Sequence, residues 1–297
     1  MKKLFPIMLT TLFAWPASAA DVNETMDADP KGHVEIFNTA GSVTVEGWSR
    51  KSVEVTGTLG NEVEDFIFER DGDEITVKVK AKSSHSGHSG HRGSTSDLVI
   101  RVPENSSLEV ATISADIDVK NVFGEMEAHA ISGDVELETY GEEVEVEAVS
   151  GDIDVQGDGK DAVTELVSVS GDVTAEKLAG EVELESVSGD VVLASGSFDE
   201  AAIETVNGDV VFQATLRKGG EVNIETVNGT VDVDFVGDVS AEFEIETFNG
   251  RIRNCFGPKP ERVSKYAPGY ELNFTEGGGD GNVSIATLNG SLNLCKK

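Results

Sequence analysis

SGDVELETYGEEVEVEAV (residues 132–149) is followed by SGDIDVQGDGKDAVTELVSV (150–169), SGDVTAEKLAGEVELESV (170–187) and SGDVVL (188–193). Each segment opens on the same turn-like triplet. Its central glycine recurs as Gly133, Gly151, Gly171, Gly189, Gly208, Gly229, Gly250 and Gly290, with Ser before the first four and Asn before the last four. Ser114-Ala115-Asp116 is a degenerate first copy, and the intervals from Ala115 onward are 18, 18, 20, 18, 19, 21, 21 and 40 residues. A fixed period near 20 residues is the signature of stacked repeats.

Side chains alternate within each repeat. Two residues after the central position stand Ile117, Val135, Ile153, Val173, Val191, Val210, Val231, Ile252 and Leu292, all apolar. The position four after it is also apolar except at Asn254, and the position five before it runs from Val110 and Ala128 to Ile245 and Ile285. Period two is the strand period, so each repeat carries two short strands with these columns facing inward. A further apolar column just before the Ser or Asn runs from Ile113 through Val187 to Phe248 and Leu288. It is read as a break in alternation where the chain turns a corner. Gly with Ser, Asn or Asp suits a tight bend, because Gly tolerates positive φ and the polar side chains bond nearby backbone.

These features predict an all-β chain: a single-stranded parallel β-helix, or β-solenoid, of about nine coils of 18–21 residues over 105–297. Residues 20–104 contain strand patterns out of phase with the repeat, such as Val34-Glu35-Ile36 and Ile75-Thr76-Val77, and are expected to form an irregular N-terminal β cap. Cys255 and Cys295 each lie five residues after a repeat glycine, so both occupy one phase of the last two coils. Stacked positions about 4.8 Å apart suit a disulfide, which is expected to clamp the C-terminal coil.

Lys2 and Lys3, an apolar run from Leu4 to Trp15 and then Ala17-Ser18-Ala19 read as a signal peptide over residues 1–19. Export to the periplasm or cell surface follows, and no later stretch reads as a membrane span. The net charge is −32, or −34 once Lys2 and Lys3 are removed. A field of that sign argues against a nucleic-acid partner.

Two places offer metal chemistry. His85, His88 and His91 share a Gly/Ser-rich loop, and low-complexity His tracts can take Zn, Cu or Ni. The outward positions form acidic columns, including Glu147, Glu185, Glu204, Glu225 and Glu246, that could attract a divalent cation. The spacing matches neither a calcium nonapeptide nor an EF-hand, so a solvated face competes with that reading. No other cofactor is expected. HExxH, P-loop and GxSxG motifs are absent from the sequence, and coils this short leave no long loops between Ala115 and Gly250 to wall a cleft.

The SGDV and TVNGDV turns, led in by Leu98-Val99-Ile100-Arg101-Val102-Pro103, resemble a bacterial family of unknown function with adhesin-like β-strand repeats, over roughly residues 34–295. The resemblance implies a β-helix and an adhesin-like role, and it supplies no catalytic residues to carry over. The expected function is therefore that of a non-enzymatic binding or structural protein whose partner is a protein or glycan of the cell envelope. A cation-binding envelope protein is the alternative, followed by a carbohydrate-active enzyme on a β-helix.

Overall fold

Strict in-out alternation over short segments leaves each segment unable to bury its apolar edge alone, so it must lie against its equivalent one repeat away. The computed structural model, which describes residues 20–82, 95–141, 143–265 and 268–297, shows this arrangement. The leg before the turn, Glu143–Ser150, pairs in parallel with Met126–Ser132 on one side and Asp161–Ser170 on the other. The leg after the turn, Ile153–Gln156, lies in register between Val135–Thr139 and Val173–Glu176. Ile153 is thus flanked by Val135 and Val173, and all three are buried. The described residues contain no helix, and their strands join in one continuous sheet. We name each layer by the residue at its turn.

The stacking order departs from the sequence order at both ends. Glu221–Asn228 of the Gly229 layer pairs with Gly281–Asn289 of the Gly290 layer, which pairs in turn with Ala241–Asn249 of the Gly250 layer. The last repeat in the chain is therefore inserted between two earlier ones. It is not the terminal coil that the sequence reading makes it. Cys255 and Cys295 remain adjacent, with Cα atoms 4.9 Å apart and the disulfide formed, but the bridge joins the inserted layer to the outermost one.

The N-terminal region corrects a second expectation. His33–Trp48 is a regular layer turning at Gly41, in register with Ser107–Val122 of the Ala115 layer. Its other side pairs in parallel with Glu74–Ala81 and Ser96–Pro103, which together make one split layer. Segments 33–48, 74–81 and 96–103 thus add two regular layers to the nine expected, and the capping role expected of residues 20–104 is left to the strands between and before them.

Exposed sheet edges invite unwanted pairing, and both ends are covered by reversed strands. Val63–Asp71 and Ser52–Leu59 run antiparallel on the split layer, with Ala20–Asp27 outside the latter. Tyr270–Glu276 runs antiparallel on the Gly250 layer. Partly buried Phe66 and Phe68 pack against the core at one end. At the other, Phe274 stacks on Phe243 at 4.5 Å, with Phe256 5.4 Å from Phe243.

The turns pack more closely than a left-handed bend alone requires. A Cβ on Gly151 would lie 2.0 Å from the carbonyl oxygen of Gly133, and one on Gly171 equally close to that of Gly151. The glycine is demanded by the layer beneath it. Its N–H donates to the layer above, Gly133 to the Ser150 carbonyl at 3.1 Å. The next residue adds an aspartate ladder, in which the Asp152 N–H donates to Asp134 Oδ1 at 3.0 Å and the Asp172 N–H to Asp152 Oδ1 at 2.9 Å. Gly151→Ala should therefore destabilise the fold by about 1–3 kcal/mol, while Ser150→Ala next to it should be near neutral. Urea unfolding of both variants measures the difference, and equal midpoints would contradict the close-packing account.

Candidate functional site

The leg before each turn keeps its alternation to the end. In Ala179–Ser188, Val182, Leu184 and Ser186 are buried while Glu181, Glu183 and Val187 are exposed. The column before the Ser or Asn therefore marks no break: it continues the outer face. What changes is the chemistry, because small or hydroxyl side chains turn inward there and apolar ones turn outward. Three of the inward hydroxyls serve the turns, with Thr112 Oγ1 donating to the Ala115 carbonyl at 2.9 Å, Thr247 Oγ1 to that of Gly290 at 3.0 Å and Ser186 Oγ to that of Gly171 at 3.4 Å.

The outward apolar side chains form a row along the stack: Ile113, Ile131, Val149, Val169, Val187, Val206, Val227, Leu288 and Phe248. Each is between 38% and 52% exposed, while the inner columns are nearly all below 5%. At roughly 4.8 Å per layer the row is about 40 Å long. A contiguous exposed apolar strip of this kind marks an interaction surface.

Beside it runs the row four residues before the glycine. The registers place its members in the order His129, Glu147, Val167, Glu185, Glu204, Glu225, Ala286 and Glu246. Glu185, Glu204 and Glu225 are direct neighbours. Val167 separates Glu147 from them, and the inserted Ala286 separates Glu246, so the structure divides the acidic column drawn from sequence. Between the two rows lies a groove of about 680 Å³, from Val167 to Phe248. Val263, Pro268 and Gly269 of the loop after Cys255 wall its end.

Carboxylates set this close raise one another's cost of ionising. Partial burial, then Glu204, Glu183 and Glu165, push the Glu185 carboxyl above its ordinary value. Glu165 is raised likewise by burial and by Glu183, Glu145 and Glu147. His129 links two layers, with Nε2 2.6 Å from Glu127 and Nδ1 3.2 Å from Glu147. Burial disfavours its charged form, but the hydrogen bond to Glu127 and the charges of both glutamates outweigh that and raise its pKa.

Among the described residues, no group of three or more His, Cys, Asp or Glu side chains is arranged to hold a metal ion. His85, His88 and His91 lie outside the described residues. The Asp column has a structural task in the turn ladder from Asp116 to Asp209, whose carboxylate accepts the Thr230 N–H. An asparagine ladder then takes over, with Asn228 donating to Asn207, Asn289 to Asn228 and Asn249 to Asn289 at 2.9–3.0 Å. The apolar row is the element that sequence reasoning misplaced. Counting by twos from Leu184 would have found it, since Ser186 then falls inside and Val187 outside.

These features define an all-β protein of stacked parallel layers with an apolar and acidic outer face. The chain belongs to the Toastrack DUF4097 family, whose profile matches residues 32–294. No curated protein matches it. Similar solved structures include a candidate cell adhesion protein of Clostridium sporogenes (13% identity, 94% of this chain and 100% of that one, TM-score 0.23). A candidate adhesin of Bacteroides fragilis shows 9% identity over 95% and 99% of the two chains, with a TM-score of 0.39. A candidate lipid binding protein of Parabacteroides distasonis shows 17% identity over 93% and 96%, with a TM-score of 0.31.

Two measurements check the electrostatics. In a titration followed by NMR, His129 should ionise above the ordinary histidine value of about 6.5, and Glu147→Gln should move it back down. The folded state also binds protons more tightly at His129, Glu165 and Glu185 than the unfolded chain does. The His129 contribution is full below the ordinary histidine pKa and is lost as pH rises through its raised value. The raised carboxyls add stability as pH falls toward the ordinary carboxyl range. The melting temperature should therefore rise from about pH 8 to about pH 5, and added salt at pH 8 should raise it too. A flat or opposite profile would contradict the clustering.

Proposed function

We propose that the protein is exported to the bacterial envelope and acts there, in the periplasm or at the cell surface, as a non-catalytic, adhesin-like binding protein built on a single parallel β-helix. Its contact surface is the apolar row with the adjoining groove. The observation that carries this reading is the row itself, because hydrophobic side chains held outward on a rigid sheet, layer after layer, cost solubility and find their use in binding. The Cys255–Cys295 disulfide supports an oxidising compartment. The signal-peptide pattern over residues 1–19 supports export, and no helix among the described residues is long and apolar enough to cross a membrane. The strongly negative charge favours partners other than nucleic acid.

The test compares the native chain with Val187→Ser/Val206→Ser/Val227→Ser. Cell fractionation should find the native protein in the envelope fractions with its N-terminus processed near Asp21. Purified native protein should be retained on washed envelopes, and the variant, with an unchanged melting temperature, should be lost from them. Cytoplasmic native protein with an intact N-terminus, or equal retention of both proteins, would refute the proposal.

A further inference from the structure

Resting on that reading, we infer that the groove takes a cationic amphipathic α-helix laid along the stack. Two chemistries run side by side there, Val187, Val206 and Val227 in one row and Glu185, Glu204 and Glu225 in the next. An occupant must therefore present an apolar stripe flanked by positive charge. The groove's own lining sets a field of one sign, since the charged residues among those that line it, Glu185, Glu204, Glu225 and Glu246, are all acidic. That field repels anionic lipid surfaces. It also disfavours a second copy, whose apposed face would set one glutamate row against another.

Spacing selects the helix. Adjacent layers stand 4.9 Å apart at the disulfide, and successive ridge side chains are one layer apart. A helix repeats its apolar stripe about every 5.4 Å, whereas like-facing residues of an extended peptide recur about every 6.7 Å. From Val187 to Phe248 the row takes four layer steps, about 20 Å at 4.9 Å each, which a helix of about 14 residues matches. Val263 and Pro268 stop the groove at that end. An ammonium group beside Glu185 would also relieve the crowding of carboxylates that now disfavours its charged form.

The experiment uses the full chain and a fluorescein-labelled Leu/Lys peptide of about 18 residues patterned as an amphipathic helix. A scrambled peptide of the same composition is the control. Fluorescence anisotropy should show the patterned peptide binding about tenfold or more tightly than the scramble, with a gain of helix by circular dichroism. Glu185→Gln/Glu204→Gln/Glu225→Gln should weaken binding about tenfold and flatten its salt dependence. The triple Val→Ser variant should weaken it at least as much while the salt dependence persists, with the Val→Ser variant melting like the native chain and the Glu→Gln variant melting at or above it. Equal binding of the two peptides, or native binding by the Val→Ser variant, would reduce the effect to diffuse charge attraction and overturn the inference. If no peptide binds while the Val→Ser variant still loses envelope retention, the helix is refuted and the contact surface stands. If retention is also unaffected, both fall.

Discussion

Everything in this molecule depends on the contact between one turn glycine and the carbonyl of the glycine beneath it. The layers are held by parallel backbone hydrogen bonds, and those bonds close only if the corners stack as tightly as the strands. A Cβ at Gly208 would meet the Gly189 carbonyl oxygen at 1.9 Å, and one at Gly229 would meet that of Gly208 at 1.8 Å. From Gly133 onward the backbone must therefore come bare at the corner, and Ala115, over Gly41, is the one repeat turn that carries a Cβ there. With the corners fixed, each inner Val, Ile or Leu is set over its counterpart, and burial of that column contributes roughly 1.5–3 kcal/mol per side chain.

Regular stacking has an electrostatic consequence. A residue type favoured at one outward position becomes a row, and rows of carboxylates a layer apart repel by roughly 1 kcal/mol per pair in water. The chain meets this cost in three ways. Aspartates beside the turn accept an N–H from the next layer, as Asp190 Oδ1 does from Asp209 at 2.7 Å. His129 places a titratable cation between Glu127 and Glu147. Val167 and the inserted Ala286 divide the glutamate row into shorter runs. What is left, from Glu185 to Glu225, is the least relieved stretch of the row, and it lies beside the groove.

The exposed apolar row has no equivalent compensation. Its residues are mostly β-branched, which suits a strand, but the inner columns already supply the core. Outward Val, Ile, Leu and Phe at nearly half exposure add little to folding. A surface that is costly in water and repeated in nine layers is the basis of the proposed contact, and the glutamates beside it give that surface a negative flank.

Much of this was legible in residues 132–193. The period near 20 identified the equivalent residues, alternation identified the inner columns, and the shared phase of Cys255 and Cys295 identified their pairing, because each depends on separations that stacking preserves. The outward row is legible too: the sequence reading makes it a corner, whereas alternation continued from Leu184 puts Ser186 inside and Val187 outside. Layer order was not legible. Phase says which residues are equivalent but not which layer is the neighbour, so nothing local distinguishes Ile285 beside Ile224 from Ile285 beyond Ile245. Likewise, the reversed strands Ser52–Leu59 and Val63–Asp71 interrupt the period and hid the two N-terminal layers. The sequence by itself determined the repeat, the turn and the core; the tertiary structure decided the order of the end layers, the covering of both edges and the groove, since these depend on contacts between segments far apart in the chain.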